Sequence, residues 1–225
     1  PEYLDEIIEK NIKCLVSIAE NNNEIPLFNG SIEISLEEYF NYLKTLNYKE
    51  ENKADLIGGI KKIKNKKNFI FFDVGSPPPK RFSSYYQSGP LSFEYSSDSH
   101  KIITNCGFGS LISKKGEFLS RLTSAQSTLC LNDYSVVEFE KNKLINEAFG
   151  TSIKNSFKVY DITHEVKEGE TSSQDTHDAY EKKFGYVHKR KIKLKKDGNL
   201  EGVDELIKKK GNTNIDFSIR FHLYP

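Results

Sequence analysis

The chain has 225 residues, with 33 Lys and Arg against 32 Asp and Glu, a formal net charge of +1, 36% hydrophobic and 29% charged residues. That length suits one sizeable β domain with an appendage, or two small domains. The balanced charge argues against nucleic acid as the main partner, since phosphate binding asks for a basic excess on one face, while a local patch could still hold an anionic polysaccharide. No apolar run approaches the roughly 20 residues of a membrane-spanning helix. Cys14, Cys106 and Cys130 are odd in number and form no C-x-x-C pair. A disulfide framework or thiolate zinc site is therefore not expected, and the three read as small buried apolar residues. Met and Trp are both absent and the chain begins at Pro1. The expectation is that the start of the gene product is missing, and that residues are missing internally too. A signal peptide would lie in the missing part, which leaves the compartment, periplasmic or cytoplasmic, open. Assembly is equally open, with a homodimer among the allowed states.

Residues 3–19 show an apolar stripe, Leu4, Ile7, Ile8, Leu15, Ile18 and Ala19, at spacings of three and four, which predicts an amphipathic helix ended by Asn21-Asn22-Asn23. A loop through Pro26 and Asn29-Gly30 follows. Ser35 with Glu38 forms a capping box for a helix over 36–46, with Leu36, Phe40 and Leu43 inward. From about residue 54 the period drops to two. Strands are predicted at Phe69–Val74, Leu91–Tyr95, Lys101–Cys106, Thr128–Leu131, Val136–Phe139 and Phe157–Ile162. In His188–Lys195, Lys189, Lys191, Lys193 and Lys195 face one way while Arg190, Ile192 and Leu194 face the other. Asp197-Gly198 then signals a hairpin turn. A last strand, Ile215–Leu223, carries Phe217, Ile219, Phe221 and Leu223 on one face. Many short strands between turn signals indicate an antiparallel sandwich. The lysine row reads as a solvated strand face or edge protection, or as an anionic-ligand face.

Several stretches, in order, resemble the β domain of the heparinase II/III family. They are Gly75-Ser-Pro-Pro-Pro79 leading to Gln87-Ser-Gly-Pro-Leu-Ser-Phe-Glu94; Asn105-Cys-Gly107; Ser124-Ala-Gln-Ser-Thr-Leu129 closed by Leu131-Asn-Asp133; and His177-Asp-Ala-Tyr180 through His188-Lys-Arg190 to Arg220-Phe-His-Leu-Tyr-Pro225. Upstream, Leu27-Phe-Asn-Gly30 is similar to the join from that family's helical domain. The resemblance implies a mainly β protein: an antiparallel β-sandwich of many strands over 51–225, preceded over 1–50 by two helices left from an α/α toroid. It implies β-elimination on uronate-containing chains. A base takes the C5 proton, a general acid protonates the leaving oxygen, and neutralisation of the carboxylate acidifies the proton. The tyrosine and the histidine or asparagine that usually serve there belong to the toroid, outside this chain.

In several relatives the sandwich also holds zinc. The matching positions here read Gln87, Asn105 and Gln126, all neutral amides, which are poor zinc ligands. No zinc and no other cofactor is expected. The three amides are instead candidates for sugar contacts or for a metal-free structural network.

Among the remaining polar residues, His177 and Tyr180 lie in a segment, 172–180, that reads as a loop or strand edge. They are candidate acid/base residues, with a loop hydrogen-bond network as the alternative. His188 and Arg190 precede the lysine row. Arg190 could hold a carboxylate bidentately or close an internal ion pair. Arg220 and His222 share a strand face and could line the cleft or satisfy each other. Tyr85 and Tyr86 could stack on a sugar ring or serve as rim aromatics. His100 and His164 carry no signal, and the prolines at 77–79 read as an extended spacer. The candidate catalytic set is thus His177, Tyr180 and His222; the candidate substrate-binding set is Gln87, Asn105, Gln126, Tyr86, Arg190 and Arg220. The readings carried forward are a polysaccharide-lyase-like protein acting on an acidic poly- or oligosaccharide, a non-catalytic carbohydrate-binding or structural relative, and an unrelated interaction sandwich.

Overall fold

A computed structural model describes residues 2–20, 22–48, 54–211 and 214–225. The expected domain junction at 50/51, and Asn21 of the expected helix stop, lie outside the described residues.

Helix α1 (Glu2–Ile18) and helix α2 (Glu37–Thr45) form the N-terminal layer. Their contact is built from Ile12, Ala19, Leu36, Phe40 and Leu43. The predicted stripe on α1 is used only in its second half, because Leu4, Ile7 and Ile8 are exposed. The α1 C-terminus is capped from another element: Lys62 Nζ donates to the carbonyls of Ser17 (3.3 Å) and Ala19 (2.7 Å), where a cation offsets the negative end of the helix dipole. The expected capping box of α2 is displaced. Leu36 is the N-cap and makes no side-chain cap bond, while the Ser35 hydroxyl accepts from the Glu37 N–H at 3.3 Å.

The β strands follow as β1 (Leu56–Ile57), β2 (Ile60–Lys64), β3 (Asn68–Asp73), β4 (Phe93–Ser97), β5 (His100–Thr104), β6 (Leu129–Leu131), β7 (Val159–Lys167), β8 (Glu170–His177), β9 (Tyr186–Lys195), β10 (Leu200–Lys208), β11 (Phe217–Ile219) and β12 (His222–Leu223). Between them lie α3 (Lys114–Ser120), α4 (Lys143–Phe149) and α5 (Glu181–Phe184). A six-stranded sheet runs β1-β2-β3-β4-β5-β12, a four-stranded sheet β10-β9-β8-β7, and β11 pairs with β6. Every pairing is antiparallel.

The fold is therefore mainly β, a sandwich whose two larger sheets meet through Ile63, Ile70, Phe72, Leu91 and Phe93 on one side and Ile192 and Leu194 on the other. Strand β3 is a dense apolar run because both faces are covered. Ile70 and Phe72 enter this core, whereas Phe69 and Phe71 pack outward on Phe28. Each buried phenylalanine adds about 2 kcal/mol relative to exposure. A second core, with Leu129, Leu131, Val137, Phe139, Phe157 and Tyr180, fills the space under the connecting loops.

Three strand expectations are corrected. Segment 172–180 is mostly strand β8, inside the four-stranded sheet and not a loop. Val136–Phe139 forms no strand; only an isolated bridge joins Phe139 to Ile153. Ile215–Leu223 breaks in two: β11 pairs with β6, β12 with β5, and Phe217, Ile219, Phe221 and Leu223 are all exposed. The lysine row of β9 is half-exposed and pairs across strands, Lys189 with Glu205 (3.4 Å), Lys193 with Glu170 (3.3 Å) and Lys195 with Glu201.

Candidate functional site

The three amide positions lie together in the loops between strands. Gln87, Asn105 and Gln126 are all buried. Gln87 Oε1 accepts from the Gly30 N–H (3.0 Å), and its Nε2 donates to the carbonyls of Gly107 (2.8 Å) and Ser120 (2.9 Å). Gln126 Nε2 donates to that same Ser120 carbonyl at 2.8 Å. Asn105 Oδ1 accepts from the Ser127 N–H at 2.8 Å. This donor set does not fit zinc. The oxygens of Gln87 and Asn105 are already taken by backbone N–H groups, and the amide nitrogens have no lone pair to give. Among the described residues no three His, Cys, Asp or Glu side chains gather as metal ligands.

Glu94, beside the cluster, accepts from the Asn105 N–H (2.8 Å) and the Thr104 hydroxyl (3.1 Å). Burial pushes its carboxyl up to about 7, against the lowering effect of these bonds. Arg121, which the sequence reading passed over, is buried and donates to the carbonyls of Ser83 (2.8 Å), Tyr86 (2.9 Å) and Thr151 (2.7 Å). It thereby fixes the loop that carries Tyr85, Tyr86 and Gln87.

A second cluster joins the histidines. The Ala179 N–H donates to His177 Nδ1 (3.2 Å), so the proton of His177 sits on Nε2. That nitrogen lies 3.0 Å from His188 Nδ1, and His188 Nε2 lies 2.6 Å from Asp204 Oδ1. The chain of donors therefore runs His177 to His188 to Asp204 with both imidazoles neutral. Burial lowers both histidines below their usual range, and the Arg190 charge adds to it. Arg190 closes a fork on Asp204, from Nε at 2.7 Å and from its second terminal nitrogen at 3.0 Å, and also donates to the carbonyls of Leu91 (2.8 Å) and Ser127 (3.0 Å). Burial alone would raise Asp204. The bonds from His188 and Arg190 outweigh it and hold the carboxyl well below the ordinary range. Tyr180 donates to the Leu129 carbonyl at 2.8 Å, with its ring 5.3 Å from that of His177.

The two clusters meet at Ser127. Its N–H serves Asn105, its carbonyl serves Arg190, and its hydroxyl accepts from the His222 N–H at 3.0 Å. The structure thus brings together Gln87, Asn105, Gln126, His177, Tyr180, His188 and Arg190 as one buried framework. His177, Tyr180 and His188 are 0% exposed and Arg190 2%. A general acid or base must reach the proton it moves, and here every polar atom of the histidine pair is spent on a neighbour.

Arg220 and His222 part company. Arg220 donates to Asp133 Oδ1 at 2.6 Å, and His222 Nδ1 lies 3.7 Å from Cys106 Sγ. Sequence reasoning missed Asp204, the acceptor on which the histidine chain ends. The signal was present: the Asp197-Gly198 turn sets a register in which Asp204 faces Arg190.

These two sheets, facing each other across an apolar core, define an antiparallel β-sandwich. The profile of the heparinase II/III-like C-terminal domain matches residues 51–225, and the chain belongs to that family. Among solved structures, it superposes on the heparan sulfate lyase HepC from Pedobacter heparinus with a TM-score of 0.71 at 15% identity, covering 100% of this chain and 35% of that one. A heparinase III structure gives a TM-score of 0.69 at 13% identity, with 100% and 37% covered. The chain spans about a third of the length of these relatives. No curated protein sequence matches it. Among the described residues no helix is long and apolar enough to cross a membrane.

Proposed function

We propose that this chain is the β-sandwich part of a polysaccharide lyase that cleaves uronate-containing chains by β-elimination, with its proton-transfer residues on a helical domain that precedes residue 51. The family match over 51–225 carries the reading. The geometry supports the division of labour: His177, Tyr180 and His188 are closed off and hydrogen-bonded internally, as a framework needs and as a general acid or base does not. In this reading the sandwich forms one wall of the cleft, and an acidic polysaccharide such as heparan sulfate or alginate is the partner.

A second reading, a non-catalytic carbohydrate-binding relative, draws on the amides at Gln87, Asn105 and Gln126. The complete gene product incubated with uronate polymers, with ultraviolet detection of unsaturated uronate ends, separates the two. New ends with at least one polymer support the lyase. No product from any polymer, together with measurable saccharide binding, overturns it in favour of the binding protein.

A further inference from the structure

Away from the histidine framework, a cavity of about 250 Å³ opens beneath the proline loop. Its floor is Asp73, at the end of β3 on the outward face, with Asn29 beside it. Its walls are Phe82, Tyr85 and Tyr86. Asp73 is 3% exposed, and one carboxylate oxygen accepts from the Gly75 N–H at 3.0 Å. Burial pushes this carboxyl up to about 7. The Tyr86 hydroxyl is buried and has no hydrogen-bond partner among the described residues, yet its ring lines the cavity and the group feels the Asp73 charge.

Natural folds rarely leave a hydroxyl placed as that of Tyr86 is, since a buried polar atom without a partner costs about 1–3 kcal/mol. The rim differs in character. Tyr85 is 62% and Phe82 64% exposed. Tyr85 is nonetheless fixed: its ring meets Phe108 edge-on at 5.6 Å, and its Cβ lies so close to Gly30 that no side chain would fit there. A rigid exposed ring over a polar floor is a platform for a flat, hydroxyl-rich ligand.

We propose that this cavity binds one uncharged pyranose unit of a polysaccharide, its hydroxyls on Asp73 and Asn29 and its apolar face on Tyr85. No lysine or arginine lines the cavity. A sulfate or uronate group would meet the Asp73 carboxyl with no cation among the lining residues, since the Arg81 guanidinium at the rim is stacked on the Phe82 ring at 4.6 Å, and such a mismatch favours uncharged sugars. The polysaccharide part of the assignment rests on the function proposed above; the monosaccharide part does not.

The test is saturation-transfer NMR of the protein with methyl glycosides of neutral hexoses and N-acetylhexosamines, against glucuronate and sulfated glucosamine. At least one neutral glycoside binds, and the acidic ones do not. Tyr85→Ala, at an exposed position, weakens binding about tenfold through lost stacking. Asp73→Asn weakens it as well, with the melting temperature confirming the fold. Absence of binding by every neutral glycoside, binding untouched by Tyr85→Ala, or preference for the acidic sugars overturns the proposal. Neutral binding without lyase product retains this site and removes the lyase reading; lyase product without neutral binding does the reverse.

Discussion

Asp204→Asn isolates the framework's central charge. The change is isosteric, so no cavity is opened. It takes the counterion from Arg190, which donates to both Asp204 oxygens at 2.7 and 3.0 Å and is 2% exposed. It also puts an amide NH2 where one of three donors now points. Removing one partner of a buried ion pair strands the other charge in a low dielectric, at a cost of about 3–5 kcal/mol. The Arg220–Asp133 pair is the control. Its 2.6 Å distance is as short, but the side chains are 28% and 78% exposed, so Asp133→Asn costs under about 1 kcal/mol. Urea unfolding followed by far-ultraviolet circular dichroism measures both, since a chain with no Trp offers little fluorescence signal. Equal losses in the two variants, or a loss under about 1 kcal/mol for Asp204→Asn, would refute the claim that burial makes the difference.

Other expectations follow from the same packing. Unfolded histidines titrate near 6.5 and folded His177 and His188 below it, so the unfolded chain alone gains protons as pH falls past 6.5. Stability from these two drops by about 1.4 kcal/mol per pH unit for each histidine. Asp73 and Glu94 act oppositely: folded near 7 and unfolded at 3.8 and 4.5, they are protonated only in the folded chain over that window, so acid favours folding. The two carboxyls therefore oppose the two histidines between pH 5 and about 6.5, and the Asp73→Asn, Glu94→Gln double variant makes the loss of stability toward acid steeper than in the parent. Urea midpoints at pH 5 and 7 that separate no further in the variant than in the parent would count against it. Phe72→Ala, at a 0% exposed position in the inter-sheet core, costs about 3–5 kcal/mol by urea unfolding; a loss below about 1 kcal/mol would place Phe72 outside the core. Elemental analysis of the purified protein finds far less than one zinc per chain, and stoichiometric zinc would overturn the account of the amide cluster.

How well each element shows in the sequence follows from what buries it. Strand β9 shows plainly because Ile192 and Leu194 enter the core while lysines face water. Strand β8 is hidden because its buried residues, Ser172, Ser173, Asp175, Thr176 and His177, are polar and so carry no apolar alternation. The Lys61 ammonium reaches Ser173 at 2.7 Å and Asp175 at 3.3 Å, a contact that no local pattern contains. The C-terminal alternation runs unbroken in sequence, yet Arg220 turns to Asp133 and splits the segment between sheets. Within the framework, family-like motifs located the amides, but their burial depended on Arg121, Ser120 and Ser127, none of which carries a chemical signature.

The amides explain how this end of the sandwich holds together with neutral side chains. A metal ties loops by drawing charged or imidazole ligands to one centre, and those ligands cost free energy to bury when the ion is absent. Gln87 ties loops with a neutral group, bridging the backbone at Gly30, Gly107 and Ser120 through three bonds. Gln126 adds a second donor to Ser120, and Asn105 pins Ser127. Ser127 then passes the constraint to Arg190 and so to Asp204 and the histidines. Two charged centres are buried in the framework: the Arg190–Asp204 ion pair, and Arg121, whose guanidinium is held by three backbone carbonyls. The exposed aromatic rings lie elsewhere, on the rim of the Asp73 cavity, where Tyr85 and Phe82 face solvent above the buried, unpartnered Tyr86 hydroxyl.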